Sequence, residues 1–370
     1  MNKLNILHIS TASTWRGGEQ QVAYLMEELS QKNIQQAVFC IKNGAFHQYA
    51  DAKGFQTIPF KKGFSVNPLV ARKLAQTVQK NQINLIHTHD SHAHSFAILA
   101  TRFFGMHVPL VVSRRVDFPI SKNQFSLRKY SDPAVKRILC VSNEIRSIVL
   151  QDIPNPDLVS TVYSGIDLSK WSNPSSNKLR EAYNISSKQP LIVNVGALAD
   201  HKDQITFVET IALIHANYPD ARALIIGKDQ GEKNALEDRI RALSLEGIIQ
   251  LTGFRSDIPS VLSDADVFLF TSKTEGLGTS ILDAFAAKVP VVSTPAGGIP
   301  ELVIHEQTGL VGGIKNPNQL AEQVIRLLEE PALVQQLIAG ANQHLQQFTK
   351  EQTAEQTLKV YQQILDQQHP

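Results

Sequence analysis

The stretch that decides the fold is DVFLFTSKTEGLGTSILDAFAAKVPVVSTPAGGIPELV, which spans residues 266–303. Residues 267–270 form a short apolar run, typical of a strand buried on both faces of a parallel sheet. Small, polar and glycine residues follow, and apolar residues at helical spacing then predict a helix that Thr279 or Ser280 caps and Pro290 ends. Residues 289–293 are predicted as the next buried strand. This order indicates an α/β fold.

The glycine loop between the first of these strands and the helix is a predicted phosphate site. A loop that opens a helix at the carboxyl end of a buried strand presents unpaired N–H groups and a positive dipole end to an anion. Two acids flank it, Glu275 on the loop and Asp283 in the helix. Carboxylates beside a phosphate are suited to hydroxyls, as on a sugar and a ribose. The plain alternative is a pair of solvated surface acids.

The residues Glu275-Gly276-Leu277-Gly278-Thr279-Ser280-Ile281-Leu282-Asp283, followed by Gly297-Gly298-Ile299-Pro300-Glu301, resemble a known family hallmark. The family is the retaining nucleotide-sugar glycosyltransferases of family 4, also called glycosyl transferases group 1. Its second acid is Glu, so Asp283 is a departure that shortens the side chain by one methylene. The resemblance implies the GT-B fold: α/β, with two Rossmann-like doubly wound parallel-sheet domains facing an interdomain cleft. It covers essentially the whole chain and is strongest over residues 190–315.

Length and composition fit this architecture. With 370 residues, 42% apolar and 19% charged, the chain is typical of a globular protein of two domains. The resemblance places 1–167 plus about 350–370 in an acceptor-side domain and 168–349 in a donor-binding domain. The chain has neither a membrane span nor a recognisable signal peptide, so a cytoplasmic location is expected. Cys40 and Cys140 each end an apolar run and predict buried free thiols.

Charge is unevenly distributed along the sequence. Residues 1–167 carry 19 Lys and Arg against 11 Asp and Glu, a net of +8, which leaves −6 for the remainder of the +2 total. A basic first half suggests an anionic partner, such as phospholipid head groups, a phosphorylated acceptor or nucleic acid, although a solvated surface explains it equally well. Nucleic acid is disfavoured because basic–aromatic interleaving and zinc-finger spacings are absent. Peripheral membrane contact would then involve Lys61, Lys62, Arg128 and Lys129.

The resemblance also assigns the donor site. Lys202, in the loop that starts at Gly196, matches the lysine that holds the donor phosphates, whereas Ala197 stands where the family has a second cation, an arginine. The implied donor-binding residues are Gly17, Gly18, Gly196, Phe254, Arg255, Gly278, Thr279, Ser280 and Asp283, and the implied catalytic residues are Lys202, Glu275 and Arg115. Gly17-Gly18 would close over the phosphates, and the backbone at Phe254-Arg255 would meet the nucleobase.

The densest titratable cluster is His87-Thr88-His89-Asp90-Ser91-His92-Ala93-His94. Three interpretations stay open: histidines that line the cleft, polar residues at a helix start, and metal ligands. The resemblance places His89, His92 and Arg114 on the acceptor side and implies no metal.

Two arginines end the strand that follows this cluster. Aligned on Ser113, the family's donor-contacting histidine falls at Arg115. An arginine cannot act as a base but can hold a phosphate or carboxylate bidentately. An anionic substrate and a structural Arg114–Asp117 ion pair explain these residues equally well.

Two other motifs exclude functions. The first strand-to-helix turn, residues 10–19, lacks G-x-G-x-x-G, which disfavours a nicotinamide cofactor. Asp264-Ala265-Asp266 precedes its strand instead of following it, so a structural role is predicted instead of metal binding.

The resemblance predicts an enzyme that transfers a sugar, with retention, from a nucleotide-diphosphate sugar to a hydroxyl of a glycan or glycolipid acceptor. The expected setting is assembly of cell-envelope polysaccharide, lipopolysaccharide or glycolipid, and the expected reaction needs no cofactor. The alternatives are a GT-B phosphorylase, a nucleotide-sugar epimerase, a non-catalytic nucleotide-sugar-binding protein, or a metal hydrolase built on His87, His89 and His92.

Overall fold

The computed structural model describes residues 4–61, 63, 67–120, 124–172 and 178–367. The chain divides into two compact units, one of residues 1–165 with 350–370 and the other of residues 166–349. Lys62, one of the basic residues named in the sequence analysis, lies outside the described residues. In the part of the chain that the structure describes, no helix has the length and apolar character needed to cross a membrane.

The first unit alternates strands and helices. Its strands are β1 (Asn5–Ser10), β2 (Gln35–Ile41), β3 (Gln56–Phe60), β4 (Leu85–Thr88), β5 (Leu110–Arg114), β6 (Val135–Cys140) and β7 (Val159–Thr161). Its helices are α1 (Gly17–Gln31), α2 (Ala45–Ala52), α3 (Pro68–Lys80), α4 (Ser91–Phe103), α5 (Gln124–Tyr130) and α6 (Asn143–Asp152), and the last helix of the chain, α14 (Lys350–Asp366), also belongs to it.

The second unit repeats the pattern. Its strands are β8 (Leu191–Val195), β9 (Arg222–Ile226), β10 (Ile249–Gly253), β11 (Val267–Phe270), β12 (Val291–Ser293) and β13 (Leu310–Val311). Its helices are α7 (Lys178–Ala182), α8 (Gln204–Asn217), α9 (Lys233–Ala242), α10 (Ile258–Ser263), α11 (Thr279–Ala286), α12 (Pro317–Glu329) and α13 (Pro331–Leu345). Short 3-10 turns at Leu168–Trp171, Asp200–Lys202 and Ile299–Glu301 complete it.

Each unit has a parallel sheet whose strand order reverses once. Among the described residues, the first sheet has seven strands in the order β3-β2-β1-β4-β5-β6-β7, and the second has six in the order β10-β9-β8-β11-β12-β13. The prediction of two doubly wound parallel sheets is confirmed. In such sheets ligands bind beyond the carboxyl ends of the strands, where the order reverses. These points lie between β1 and β4 in the first sheet and between β8 and β11 in the second.

The face of the first sheet that α1 and α14 cover changes character along its strands. Toward the amino ends of the strands this face is apolar, with Ile6, Leu85 and Val111 fully buried against Tyr361 of α14. Toward the carboxyl ends the same face turns polar, because the residues at the next positions on these strands are His8, His87 and Ser113. Burial of the apolar part stabilises the first unit through the hydrophobic effect, whereas the side chains of the polar part can form hydrogen bonds.

Some predicted elements differ from the observed ones. Helix α11 begins at Thr279 but is capped by neither Thr279 nor Ser280, because Gly278 occupies the N-cap with φ of 90° and no side chain accepts a capping hydrogen bond. Strand β12 begins at Val291, two residues after the predicted start at 289. Cys40 and Cys140 are buried and free, as predicted.

Candidate functional site

Two loops meet at the point where the second sheet reverses its order. One follows β8 and holds Lys202, and the other follows β11 and holds Glu275. They are joined by hydrogen bonds from Thr271 Oγ1 to the backbone oxygens of Lys202 (3.2 Å) and Asp203 (3.0 Å), and from Lys273 N to His201 O (2.8 Å). These contacts fix the loop of Lys202 against the loop of Glu275.

Lys202 and Glu275, both predicted catalytic residues, form a direct ion pair. Lys202 Nζ lies 2.5 Å from Glu275 Oε2, and each side chain is 16% exposed. The ammonium group also lies 5.0 Å from the centre of the Phe270 ring. A half-buried pair of this kind is screened less by solvent than a surface pair. The structure therefore brings together two residues that lie far apart in the sequence and were predicted to serve different parts of a ligand.

The N-terminus of α11 lies beside this pair. Because Gly278 occupies the N-cap without a side chain, the first amides of the helix, at Thr279 and Ser280, have no capping side-chain acceptor. Both residues are half-buried. Free amides and the positive end of the helix dipole suit an anion. The predicted donor-binding residues Gly278, Thr279 and Ser280 are thus arranged as an anion site, with Lys202 as a neighbouring cation.

The Gly297-Gly298 turn supports the loop of Glu275 from below. A Cβ on Gly297 would lie 2.1 Å from Glu275 O, and a Cβ on Gly298 would lie 2.4 Å from Gly276 O. Gly297 also has φ of 53°, and Gly298 N donates to Glu275 O at 3.0 Å. Only glycine allows this close approach of the two backbones. The two glycines of the sequence hallmark are therefore needed to hold Glu275 in place.

Asp283 lies in the second turn of α11 and is half-buried. Burial raises the pKa of its carboxyl to about 7, and the charge of Lys170 opposes the shift only in part. A buried carboxylate with little nearby positive charge to stabilise it is suited to accept hydrogen bonds from hydroxyl groups of a ligand. A ribose contact stays the prediction for Asp283.

The remaining predicted donor residues of this unit lie on neighbouring loops. Phe254 is 74% exposed, and the guanidinium of Arg255 is already paired with Asp257, with Nε 2.9 Å from Oδ1 and Nη2 2.5 Å from Oδ2. The pair with Asp257 fixes the direction of the Arg255 side chain, and the nucleobase contact predicted for the backbone at Phe254 and Arg255 stays a prediction. Gly196 directly follows β8 beside the Lys202 side chain, and Gly227 packs so closely that a Cβ there would lie 1.8 Å from Gly196 O.

The D-x-D sequence has a structural role. Asp264 Oδ2 accepts a hydrogen bond from Leu179 N (2.8 Å), and Asp266 Oδ2 accepts from Arg180 Nη2 (2.7 Å) and Leu191 N (2.7 Å). These contacts tie α7 to the start of β8 and agree with the structural interpretation.

In the first unit, Gly17 and Gly18 begin α1. Nothing lies within 4 Å of a Cβ built at either position, and Gly17 is exposed. Glu19, the next residue, is buried and accepts a hydrogen bond from Arg16 N at 3.1 Å. Burial raises the pKa of Glu19. The two glycines therefore leave this helix start open for the close approach of another molecule.

The histidines of the first unit are grouped differently from the sequence cluster. His89 lies in a buried group with His8 and His87, whereas His92 is exposed at the start of α4. His8 was missed because it lies in β1, remote in sequence, although the register of β1 and β4 pairs it with His87. The metal hydrolase built on His87, His89 and His92 is therefore wrong in its ligand set.

Hydrogen bonds link the buried histidines to their surroundings. His8 Nδ1 lies 3.0 Å from His89 Nε2, while His87 bonds Tyr361 Oη through Nδ1 (2.5 Å) and Ser113 Oγ through Nε2 (2.9 Å). Burial lowers the pKa of His8 to about 4 and holds the pKa values of His87 and His89 well below the ordinary range. All three are neutral at pH 7. Neutral imidazoles could hold a divalent metal, but both nitrogens of His87 already have partners.

The two arginines after β5 have different environments. The Arg114 guanidinium donates to Phe118 O and lies 4.7 Å from the centre of the Phe118 ring. The alternative of an ion pair with Asp117 is not seen among the contacts of the described residues. Arg115 Nη1 donates to His89 O at 3.4 Å, and its Nε is buried with no hydrogen-bond partner among the described residues. Burial lowers the pKa of Arg115 to about 10, so its guanidinium stays charged at neutral pH.

Two doubly wound parallel sheets are the fold of the GT-B glycosyltransferases. The lysine–glutamate pair and the open helix N-terminus lie at the switch point of the second sheet. Residues 15–170 match the model described as Glycosyltransferase Family 4, and residues 175–344 match Glycosyl transferases group 1. The chain belongs to the family 4 glycosyltransferases.

The chain is also similar in sequence to individual bacterial proteins. The chain is 26% identical over 306 residues to the N-acetyl-alpha-D-glucosaminyl L-malate synthase of Bacillus anthracis, an alignment that covers 80% of this chain and 79% of that protein. It is 23% identical over 352 residues to the UDP-Gal:alpha-D-GlcNAc-diphosphoundecaprenol alpha-1,3-galactosyltransferase of Escherichia coli, with 90% of each covered.

Solved structures show the same fold. A glycosyltransferase from Rickettsia africae ESF-5 superposes with a TM-score of 0.88 at 21% identity, over 99% of both chains. Anabaena HepE, in complex with UDP and glucose, superposes with a TM-score of 0.85 at 22% identity, over 97% of this chain and 100% of that one.

Proposed function

We propose that this glycosyltransferase moves a sugar from a nucleotide-diphosphate sugar to a hydroxyl of a glycan or glycolipid acceptor, with retention of anomeric configuration. The observation that carries the proposal is the Lys202–Glu275 pair beside the open N-terminus of α11. A cation and free amides suit the diphosphate of a donor, and a carboxylate in contact with that cation suits the adjoining sugar hydroxyls. The UDP and glucose of the HepE structure support this class of donor.

Charge stabilisation of the leaving diphosphate is the main catalytic demand. Lys202 and the amides of Thr279 and Ser280 would supply it from fixed positions, so that little reorganisation accompanies bond cleavage. We propose that these groups meet the demand without a metal ion. Asp283 would accept hydrogen bonds from the ribose, and the backbone at Phe254 and Arg255 would meet the base.

Retention requires the acceptor hydroxyl to reach the same face of the sugar from which the diphosphate leaves. We nominate no protein nucleophile, and Glu275 would serve to hold the sugar. The stereochemical outcome is measured directly by proton NMR of the product, in which an inverted anomeric signal would disprove the retaining assignment.

The acceptor belongs to the first unit in this proposal, on the side of the polar carboxyl ends of β4 and β5, while Gly17 and Gly18 of the same unit would bind the donor phosphates. The E. coli relative acts on a diphosphoundecaprenol-linked sugar, which supports a glycolipid acceptor in cell-envelope assembly and a peripheral contact with the inner face of a membrane. The set of basic residues available for this contact is smaller than the sequence predicted. Lys61 and Arg128 are exposed, but Lys129 is buried and donates to Ser91 O at 3.0 Å.

The membrane proposal is tested by co-sedimentation with anionic and neutral vesicles. Replacement of both Lys61 and Arg128 by Gln should weaken binding to anionic vesicles by about 30-fold, since each basic residue near such a surface contributes about 1 kcal/mol. Equal binding to neutral vesicles would contradict it.

The donor proposal is tested by Lys202→Ala. Loss of a preorganised cation at the leaving group should lower kcat by about 100-fold or more, and the thermal stabilisation by nucleoside diphosphates should fall with it. Lys288→Ala, which removes an exposed lysine at the other end of α11, is the matched control. Near-normal kcat in Lys202→Ala would disprove the phosphate assignment, while turnover that requires free phosphate, or that needs no acceptor, would indicate a phosphorylase or an epimerase.

A further inference from the structure

A small polar cavity in the first unit lies at the carboxyl ends of β4, β5 and β6, next to α14. No carboxylate side chain is among the described residues that line it, and its polar lining comprises Gln21, His87, Ser113, Arg115, Tyr163, Ser164, Thr353 and Thr357. A cavity that combines a guanidinium with hydroxyl groups but no acid has an excess of hydrogen-bond donors and of positive charge. Such a site is complementary to an anion.

Arg115 is the charged group of this cavity, and its hydrogen-bonding capacity is largely unused. A guanidinium has five N–H donors, yet one long bond, from Nη1 to His89 O at 3.4 Å, is its contact with protein, and its buried Nε has no partner among the described residues. Arg115 is half-buried as a residue, and a buried N–H such as its Nε is unfavourable without a hydrogen-bond partner. The guanidinium is therefore poised to gain a partner from outside the chain.

The nearby acids do not neutralise Arg115. Asp90 is fully engaged, because its carboxylate accepts from Thr11 N (2.6 Å), Thr11 Oγ1 (2.6 Å), His92 N (3.0 Å) and Ala93 N (2.9 Å). Glu19 accepts from Arg16 N. The charges of both acids reach Arg115, but neither forms an ion pair with it within the described part of the chain. The neighbouring histidines are neutral and add no negative charge.

The hydroxyl of Ser113 is held in a fixed position near this guanidinium. Tyr361 Oη bonds His87 Nδ1, and His87 Nε2 bonds Ser113 Oγ, so the ring of His87 cannot turn without breaking both contacts. Preorganised donors bind an anion better than mobile ones because less ordering accompanies binding. The hydrogen bonds from Tyr361 of α14 through His87 therefore position Ser113 before any anion binds.

We propose that this cavity binds a compact oxyanion, a carboxylate or phosphate group carried by the acceptor, with Arg115 as its anchoring cation and Ser113 as a second donor. This inference rests on the proposed function, in which the first unit receives the acceptor. It narrows the acceptor class to molecules with an anionic group near the hydroxyl that is glycosylated. Arg115 then determines acceptor specificity in addition to any contact with the donor sugar.

The test is isothermal titration calorimetry of the full chain with sodium malonate, and separately with inorganic phosphate, against sodium chloride at equal ionic strength. Malonate and phosphate distinguish the carboxylate from the phosphate source. We expect at least one of them to bind the wild-type protein, Arg115→Gln to weaken that binding by tenfold or more, and Arg115→Lys to retain part of it. Arg72→Gln, which alters an exposed arginine of α3, should bind as the wild type does.

Lys202→Ala separates this site from the donor site. Oxyanion binding that survives in Lys202→Ala and is lost in Arg115→Gln supports the inference. Binding that is lost in Lys202→Ala and kept in Arg115→Gln would place the anion in the second unit and overturn it, as would the absence of specific binding by the wild type. Failure of the proposed function is a separate result, namely that nucleoside diphosphate binding does not depend on Lys202.

Discussion

The ion pair between Lys202 and Glu275 predicts an unusual mutant phenotype. A nucleoside diphosphate must share Lys202 with Glu275, or take it from Glu275, in order to bind. At 2.5 Å and 16% exposure of each side chain, the Coulomb attraction is about 7 kcal/mol at an effective dielectric constant of roughly 20. Most of it is offset by desolvation, and a charge-assisted hydrogen bond contributes about 2 kcal/mol net. Glu275→Gln keeps the shape of the side chain and removes the competing charge.

We therefore expect Glu275→Gln to bind a nucleoside diphosphate more tightly, by about 10- to 30-fold, since 2 kcal/mol corresponds to about a 30-fold change in a binding constant. Sugar transfer should fall at the same time, because the carboxylate that would hold the sugar hydroxyls is lost. The assay is calorimetry with the nucleoside diphosphate that gives the largest thermal shift, alongside kcat with the matching sugar donor. Glu246→Gln, at an exposed acid of the same unit, is the control. Unchanged or weaker binding in Glu275→Gln would show that the pair organises Lys202 for the donor and does not compete with it.

Three further changes test the surroundings of the site. The pKa of Asp283 is raised to about 7 by burial, and a ribose hydroxyl donates best to the ionised carboxylate, so nucleotide affinity should fall as the pH drops from 8 to 6. Calorimetry on Asp283→Asn should show no fall in nucleotide affinity over this pH range. If the affinity of this variant fell with pH as that of the wild type does, Asp283 would be excluded from the ribose contact. Gly297→Ala should lower the free energy of unfolding in urea by about 3 kcal/mol and abolish transfer, since its Cβ would lie 2.1 Å from Glu275 O at a positive φ. The control is Gly247→Ala, which has φ of 85° and open space around the new Cβ and should lower the free energy of unfolding by only about 1 kcal/mol. Equal losses in the two variants would contradict the steric argument. Asp90→Asn replaces an acceptor oxygen by a donor where four donors converge and should cost about 1–3 kcal/mol in the same assay; a neutral result would mean that the loop of Thr11 is held by other contacts.

The sequence predicted strands best where an apolar run has polar boundaries on both sides. Strand β11 has the predicted bounds, Val267–Phe270. Strand β3 is hard to recognise in the sequence because it contains Pro59, which breaks the strand pattern and is tolerated at the edge of a sheet. The helix α2 is short, and its eight residues give too little periodicity to be recognised.

Contacts across the sheets could not be predicted from local patterns. The pairing of Lys202 with Glu275 depends on β8 and β11 being neighbours, and the grouping of His8 with His87 depends on the register of β1 and β4. Both follow from strand order, which is not encoded in any short segment. The environment of Arg115 was left open for the same reason, since its surroundings come from α1, β4 and α14.

The position of α14 has a consequence for how the protein is made. The apolar face formed by Ile6, Leu85 and Val111 is covered in part by Tyr361, which leaves the ribosome only after the whole of the second unit has been synthesised. During translation this face of the first sheet therefore stays uncovered by α14 while residues 166–349 are synthesised and fold. Ribosome-bound chains that stop near residue 349 would expose this surface to chaperones, and the final seventeen-residue helix (Lys350–Asp366) would act as the closing segment of a domain that began some 350 residues earlier.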